Sequence, residues 1–404
     1  MLSSHKKDAA GGLLIAGGAV EQFFAPCPRG LESLLADELT TWGAQAITRT
    51  DGGVGFRGSF ALCYRANLGS RIASRILWQV AASSYQDERD LYEWARQVRW
   101  PEWFTQRSTI KVKVSAQDCQ LKSLEFVTLR IKDAVCDAFR ASTGQRPAVD
   151  TKQPDVLIVA HLHDRQATLY LDTSGEPLFK RGHRLTGGPA PLRENLAAGI
   201  LRLAGWPRET AFLDPMCGSG TILIEAAEMA AGLSPGRGRR FAFERLIWFD
   251  SQCWEDVKAE QAGESTDRPV PPIFGSDVQR VSLEAARANL RAAGVDRFVR
   301  FEQGDVLIRE KPTETGLLVT NPPYGVRVAA EADMAVWYPK LGDALKRRFA
   351  GWQAYLLTAD LRLPKLIGLT PSRRIPLYNG ALECRLYEFE LVAGSMRRRK
   401  AGSA

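Results

Sequence analysis

The order of apolar runs and turn residues predicts an α/β chain: a doubly wound parallel sheet in the second half, preceded by two small α+β units. Three observations predict it. From about residue 187 to 393, strands and helices alternate one for one, as a parallel sheet with crossover helices requires. Residues 21–70 read strand, helix, strand, strand, helix, a split βαβ half. Residues 71–174 read as strands, a long helix and a hairpin.

Residues 1–20 open the chain. Lys6 and Lys7 precede GGLLIAGGAV, which imitates a secretion signal, but four glycines and the immediate start of ordered sequence predict a frayed tail. EQFFAPC then reads as a strand, and Leu31, Leu34, Leu35 and Leu39 recur at helical spacing. AITRT and GVGFRG flank the turn signal Asp51-Gly52-Gly53 and predict a hairpin, followed by the helical SFALCYRANLG.

In 71–174, RILWQVAAS and TIKVKVSA read as strands, the second alternating Ile110, Val112 and Val114 with Lys111 and Lys113. Val127, Ile131, Ala134, Val135 and Ala138 mark one face of a long helix. DVLIVAHLHDRQATLYLDT is a hairpin turning at Asp164-Arg165. His161 and His163 share a strand face, as two metal ligands would; with no third ligand evident, a solvated face is expected. GEPLFKRGHRLTGGPAP supplies a linker, 175–186, that clusters Lys180, Arg181 and Arg184. The last domain, 187–393, is followed by a basic tail, 394–404.

Composition narrows the class. Of 404 residues, 45% are apolar, enough for sizeable cores, and 54 Lys and Arg against 46 Asp and Glu leave a formal +8. That surplus fits a polyanionic partner without requiring one. Seven cysteines without a CxxC pair predict a reducing compartment, with neither a disulfide framework nor a zinc cage. No apolar run approaches the ~20 residues that cross a bilayer. A cytoplasmic protein without membrane partners is expected.

TAFLDPMCGSGTILIEAAEMAAG is the strongest local signal. A short strand ends at Asp214, a loop with Gly218, Ser219 and Gly220 follows, and then a helix. Such glycines let backbone approach a ligand and expose N–H groups at the helix start. Neither G-x-x-x-x-G-K-[ST] nor G-x-G-x-x-G is met, which excludes the kinase-type P-loop and the minimal dinucleotide fingerprint. In PPIFGSDVQRVSLEAARANL the strand ends near Asp277, placed to accept from ribose hydroxyls. It stands far beyond the ~20 residues that follow the loop in a minimal fingerprint. Residues from about 232 to 270 are therefore an insertion. Its Trp248, Trp254, Arg237, Arg239 and Arg240 either face substrate or pack peripherally, the second being expected.

FVRFEQGDVL closes a third strand on Gly304-Asp305, where Asp305 can accept from an adenine amine or simply make a turn. LLVTNPPYGVR ends the fourth on Asn321-Pro322-Pro323-Tyr324; two consecutive prolines stop the ladder there. Four strand ends carrying polar or Gly-rich residues define one cleft, and the conjunction is more specific than any member.

With these motifs placed, the last domain resembles a class I S-adenosylmethionine-dependent methyltransferase, Rossmann-like in fold, of the amino-methylating group marked by (Asn/Asp/Ser)-Pro-Pro-(Tyr/Phe/Trp). APLRENLAAGIL (190–201) resembles the helix before the first strand of such enzymes, and YNGALECRLYEFEL (378–391) their closing hairpin. Arg71–Ser174 resembles a THUMP RNA-binding domain, 21–70 its ferredoxin-like partner, and LFKRGHR (178–184) the family's basic linker. From 21 to 393 the chain resembles the THUMP-containing 23S rRNA guanine-N2 methyltransferase family, the RlmL-like group; some members carry a second methyltransferase domain, for which this chain is too short.

The resemblance implies cofactor contacts from Glu194, Asn195, Asp214, Pro215, Cys217, Gly218, Ser219, Gly220, Thr221, Asp277, Asp305 and Asn321. It implies catalysis by Asn321, Pro322, Pro323 and Tyr324, with the ring of Tyr324 stacked on the base. RNA contacts are expected from Lys180, Arg181, Arg184, Arg130 and Lys132. The implied partner is 23S ribosomal RNA, with tRNA as the alternative substrate; no metal and no obligate protein partner are implied. From another class, a non-catalytic RNA-binding or ribosome-assembly factor would use the same RNA-binding half. An adenine-N6 DNA methyltransferase shares Asn-Pro-Pro-Tyr, but the THUMP-like half argues against DNA.

Overall fold

The computed structural model describes residues 19–185, 192–207, 209–263, 269–323 and 331–392. Most of both expected tails and Tyr324 lie outside the described residues. Two compact units form. One draws on the chain through Cys27, on Leu35–Leu178 and on Gly236–Gly263; the other on Pro28–Leu34, Phe179–Pro235 and the chain from Glu264 onward.

The first unit contains β1 (Glu21–Pro26), most of α1 (Glu32–Thr41), β2 (Gln45–Thr50), β3 (Gly53–Gly58) and α2 (Phe60–Gly69). It continues with β4 (Leu77–Ser84), α3 (Glu88–Gln97), β5 (Ile110–Gln117), α4 (Leu124–Thr143), β6 (Val156–His163) and β7 (Gln166–Asp172). All seven strands share one sheet, ordered β2-β3-β1-β4-β7-β6-β5. The ferredoxin-like and THUMP-like stretches are thus continuous through β1 and β4, where Phe23 faces Trp78 and Phe24 faces Leu77.

Helix starts follow side-chain chemistry. Ser59 accepts from the Leu62 N–H, Asp87 from Arg89 and Asp90, and Ser123 from Phe126, each satisfying donors that a helix end leaves open. Helix α3 escaped the sequence reading because only Leu91 and Ala95 on it are buried, too few to show a period. The sheet face is closed by aromatic packing: the ring of Phe60 lies 5.1 Å from Trp78, and Trp78 lies 5.4 Å from Trp103.

The second unit begins with α5 (Glu194–Leu203), β8 (Phe212–Asp214) and α6 (Thr221–Ala230). The chain then contributes to the first unit, where 236–263 ends in α7 (Ser251–Gly263). There the Trp248 ring sits 3.9 Å from Phe60 and the Phe243 ring 4.4 Å from Tyr64. Arg239 donates to the carbonyls of Glu176 and Pro177, and Phe243 donates its N–H to Thr173. Of the two readings of the insertion, packing accounts for Trp248, Trp254 and Arg239.

Back in the second unit follow β9 (Ile273–Asp277), α8 (Arg280–Ala293), β10 (Val299–Gln303), β11 (Gly316–Thr320), α9 (Glu331–Arg348) and β12 (Trp352–Thr358). The short α10 (Leu363–Leu366) and the hairpin β13 (Arg373–Asn379) and β14 (Leu382–Glu390) close it. The sheet order is β10-β9-β8-β11-β12-β14-β13, parallel from β10 to β12 and antiparallel at β14. β8 and β11 are adjacent although β9 and β10 intervene in sequence. Strand order reverses there, which opens a cleft at the carboxyl ends of the strands. Leu31 from the short stretch 28–34 is fully buried against Gly199 of α5.

Candidate active site

Each strand that reaches the reversal point ends on a polar residue. Asp214 closes β8, is 1% exposed, and accepts from the Thr320 hydroxyl at 2.8 Å and the Met216 N–H at 3.2 Å. Burial pushes its carboxyl up to about 7; the hydrogen bonds from Thr320 and Met216 oppose that, and the neighbouring Asp277 adds to it. A carboxyl raised in this way stabilises the fold fully below the unfolded pKa near 4, and that contribution is lost as pH rises through about 7. Asp214→Asn should therefore flatten the decline of stability between about pH 4 and 7, by an amount on the order of a few kcal/mol. Thermal melting of both proteins across that window tests it; parallel profiles would contradict it.

The glycine loop after Asp214 is held from several sides. Gly218 sits at φ 52° and donates its N–H to Asp277 Oδ2 at 3.0 Å, while Cys217 donates to the Ser276 carbonyl at 2.9 Å. Gly220 sits at φ 83°, and a Cβ there would lie 2.9 Å from Leu290 and 3.1 Å from Ala286, so a side chain would push α8 away. A Cβ on Gly218 would meet nothing within 4 Å: the backbone there borders open space, as close approach of a ligand requires. Asn289 donates to the Ser219 carbonyl at 3.0 Å, and Arg184 reaches the Thr221 hydroxyl at 3.0 Å.

Asp277, at the end of β9, also accepts from the Gln279 N–H at 2.9 Å. Each of its oxygens has thus taken one backbone N–H and retains a second lone pair. Asp305 follows β10 in a turn, accepting from the Leu307 N–H at 2.9 Å. Glu194 opens α5 and pairs with Arg184 at 3.0 Å; burial raises its carboxyl and Arg184 opposes the rise. Asn195, Cys217 and Thr221 are buried beside it and along the loop.

Asn321 begins the segment after β11, with Pro322 buried and Pro323 half-buried behind it. Its Oδ1 is buried and has no hydrogen-bond partner among the described residues. Such an acceptor costs about 1–3 kcal/mol when left unmade, so a donor-bearing ligand is what it suits. This orphaned oxygen, the open backbone at Gly218 and the acids closing β8, β9 and the β10 turn fit a cofactor with hydroxyls and an amine.

The basic linker needs correction. Arg181 is 4% exposed, and its Nε donates to Glu225 on α6 at 3.1 Å; a guanidinium so placed is out of reach of a phosphate. Arg184 is half-buried, and its Nη2 lies 3.0 Å from Glu194, 3.0 Å from the Thr221 hydroxyl and 2.8 Å from the Leu192 carbonyl. His183 lies 3.3 Å from Glu228. The linker is a strap on α5 and α6. Lys180 is exposed. On α4, Arg130 lies over the Tyr92 ring at 4.4 Å and Lys132 pairs with Asp133 at 2.7 Å, both half-buried. Glu225, Glu228, Thr320 and Asn289 were missed. The signal for the two glutamates was present: acids three apart on the otherwise apolar TILIEAAEMA demand buried partners.

Among the described residues no group of His, Cys, Asp or Glu could hold a metal ion, and His161 Nδ1 lies 3.1 Å from the Ser115 hydroxyl. No helix among them is long and apolar enough to cross a membrane.

Three family models match the chain: an RlmL ferredoxin-like domain over 22–77, a THUMP domain over 85–172, and an RMKL-like methyltransferase domain over 181–388. A ribosomal RNA large subunit methyltransferase K/L from Syntrophotalea carbinolica is 41% identical over 382 residues, covering 92% of this chain and 54% of its own length. The chain thus spans about half the length of the K/L relatives it matches. A candidate RNA methyltransferase from Synechocystis sp. is 37% identical over 371 residues, covering 91% of this chain and 96% of its own. A crystal structure of a candidate methyltransferase complexed with SAH matches with a TM-score of 0.83 at 27% identity, covering 94% of this chain and 99% of that one.

Proposed function

The chain belongs to the RMKL-like methyltransferase family that carries THUMP and RlmL ferredoxin-like domains, and from that premise we propose that it methylates guanine N2 in 23S ribosomal RNA, using S-adenosylmethionine. The observation that carries the chemistry is the buried Oδ1 of Asn321, which has no hydrogen-bond partner among the described residues, at the strand-order reversal.

The exocyclic amine of guanine is a poor nucleophile because its lone pair is delocalised into the ring. Asn321 Oδ1 and the Pro322 carbonyl accept its two N–H bonds, which lets the nitrogen pyramidalise and aim its lone pair. The prolines fix these acceptors in advance, so the effect is orientation and electrostatics. S-adenosylmethionine, when bound, supplies a methyl group on a sulfonium that needs little further activation. On transfer the amine would gain the methyl as its bond to sulfur is given up, S-adenosylhomocysteine would be released, and one amine proton would pass to solvent. Lys180, Arg130 and Lys132 are the proposed phosphate contacts, positioning the RNA without reading its sequence. Tyr324 is proposed to stack on the base.

Asp277 is proposed to accept from the ribose hydroxyls. Asp277→Ala should weaken S-adenosylmethionine binding by roughly 1.5–3 kcal/mol per charge-assisted bond lost. Titration calorimetry reads this directly; unchanged affinity would move the ribose contact elsewhere. The product itself is tested by nucleoside mass spectrometry of rRNA and tRNA from a deletion strain, with mapping of the lost modification. Loss of N2-methylguanosine from 23S rRNA is expected. Loss from tRNA instead would transfer the assignment to a tRNA guanine-N2 enzyme.

A further inference from the structure

Two residues past the end of the strand beside the Asn-Pro-Pro segment stands an acid, Asp360, that the reaction described so far does not use. β11 and β12 run parallel with Thr320 opposite Leu356, so β11, ending just before Asn321, and β12, ending at Thr358, finish at the same end of the sheet. The chain past Thr358 therefore opens onto the same end of the sheet as Asn321. Thr358 is fully buried, and its hydroxyl accepts the Asp360 N–H at 2.9 Å. Asp360 is in turn gripped by Arg362, Nε to Oδ1 at 2.9 Å and Nη2 to Oδ2 at 2.8 Å. The Asp360 side chain is 13% exposed, against 47% for Arg362. The paired guanidinium also holds the carboxyl below the usual carboxylate range, so it is an anion at neutral pH.

We propose that Asp360 selects guanine by accepting its N1–H, with Arg362 as the positioning residue that orients the carboxylate. This deepens, and rests on, the guanine-N2 reading. The two purines differ at this point. Guanine presents N1–H and the N2 amine side by side, both donors. Adenine presents a bare N1 lone pair beside its N6 amine, which a carboxylate repels. Asn321 and Pro322 accept from an amine of either base and cannot separate them; an adjacent anion can. A carboxylate locked by a two-point ion pair adds discrimination without needing to move, and bidentate or adjacent base-edge contacts separate bases by about 10- to 100-fold.

The test uses the full chain and a synthetic RNA hairpin spanning the guanosine that the mass-spectrometric mapping locates, made with guanine or 2-aminopurine at that position. 2-Aminopurine keeps the N2 amine but has a lone pair at N1. Wild-type kcat/KM should favour guanine by about 10- to 100-fold. In Asp360→Asn, whose amide can donate to that lone pair, the ratio should fall about tenfold or more. The ratio within one variant cancels any loss of folded protein or of cofactor affinity. Arg362→Gln, with the carboxylate retained but loosened, should give an intermediate ratio. A preference unchanged in Asp360→Asn, or absent from the wild type, overturns the assignment of Asp360 while leaving N2 methylation intact. Absence of N2-methylguanosine in the wild-type product overturns the guanine reading and this inference together.

Discussion

Asn321→Ala should lower kcat at least ~100-fold, with S-adenosylmethionine affinity nearly unchanged, because an acceptor that tightens on the amine only as the lone pair is released acts in the transition state. The structure sharpens the expectation. Oδ1 is buried and has no hydrogen-bond partner among the described residues, so the substitution removes no hydrogen bond that they make to it. Alanine deletes an unmet acceptor, and the folded protein should be no less stable. Activity and stability should therefore part company at this position. Single-turnover assays on the mapped RNA, run beside thermal melting, separate the two. Turnover near wild type would remove Asn321 from the mechanism.

The second large effect is on stability. Glu225→Ala should cost about 3–5 kcal/mol, the range for breaking a buried ion pair by deleting one partner. The side chains of Arg181 and Glu225 are 2% and 0% exposed, so water cannot replace what either loses. Glu225→Gln, which still accepts from the Arg181 Nε, should cost less. A lowered denaturation midpoint is expected, and the salt dependence of RNA binding should be the same for Arg181→Ala as for the wild type. A shallower salt slope would return Arg181 to the set of phosphate contacts.

That reversal illustrates what was legible in the sequence. Strand ends were: Asp214, Asp277 and Asn321 each stop an apolar run, and a parallel sheet delivers all such ends to one edge. The glycine loop was legible because left-handed backbone leaves a compositional trace. The fate of Arg181 was not, because a guanidinium destined for a phosphate and one destined for a carboxylate 44 residues away look alike in sequence. Helix α3 and the destination of 236–263 were hidden for related reasons. The first buries too little to show a period, and the second packs on aromatic side chains nearly two hundred residues earlier, such as Trp248 on Phe60.

The interleaving of the two units bears on how the chain is made. The first unit draws on Glu21 and Gly263 alike, and the second on Leu31 together with the described residues from 269 onward. At about 5–20 residues per second of synthesis, the wait between Asp172 and Gly263 is on the order of ten seconds. For most of it, until residues 243 and 248 are reached, Phe60 and Tyr64 have been made while the Phe243 and Trp248 that cover them have not. On the ribosome the earliest part of this protein thus stays unfinished, one side of Phe60 and Tyr64 uncovered, until the segment that carries Phe243 and Trp248 has been made.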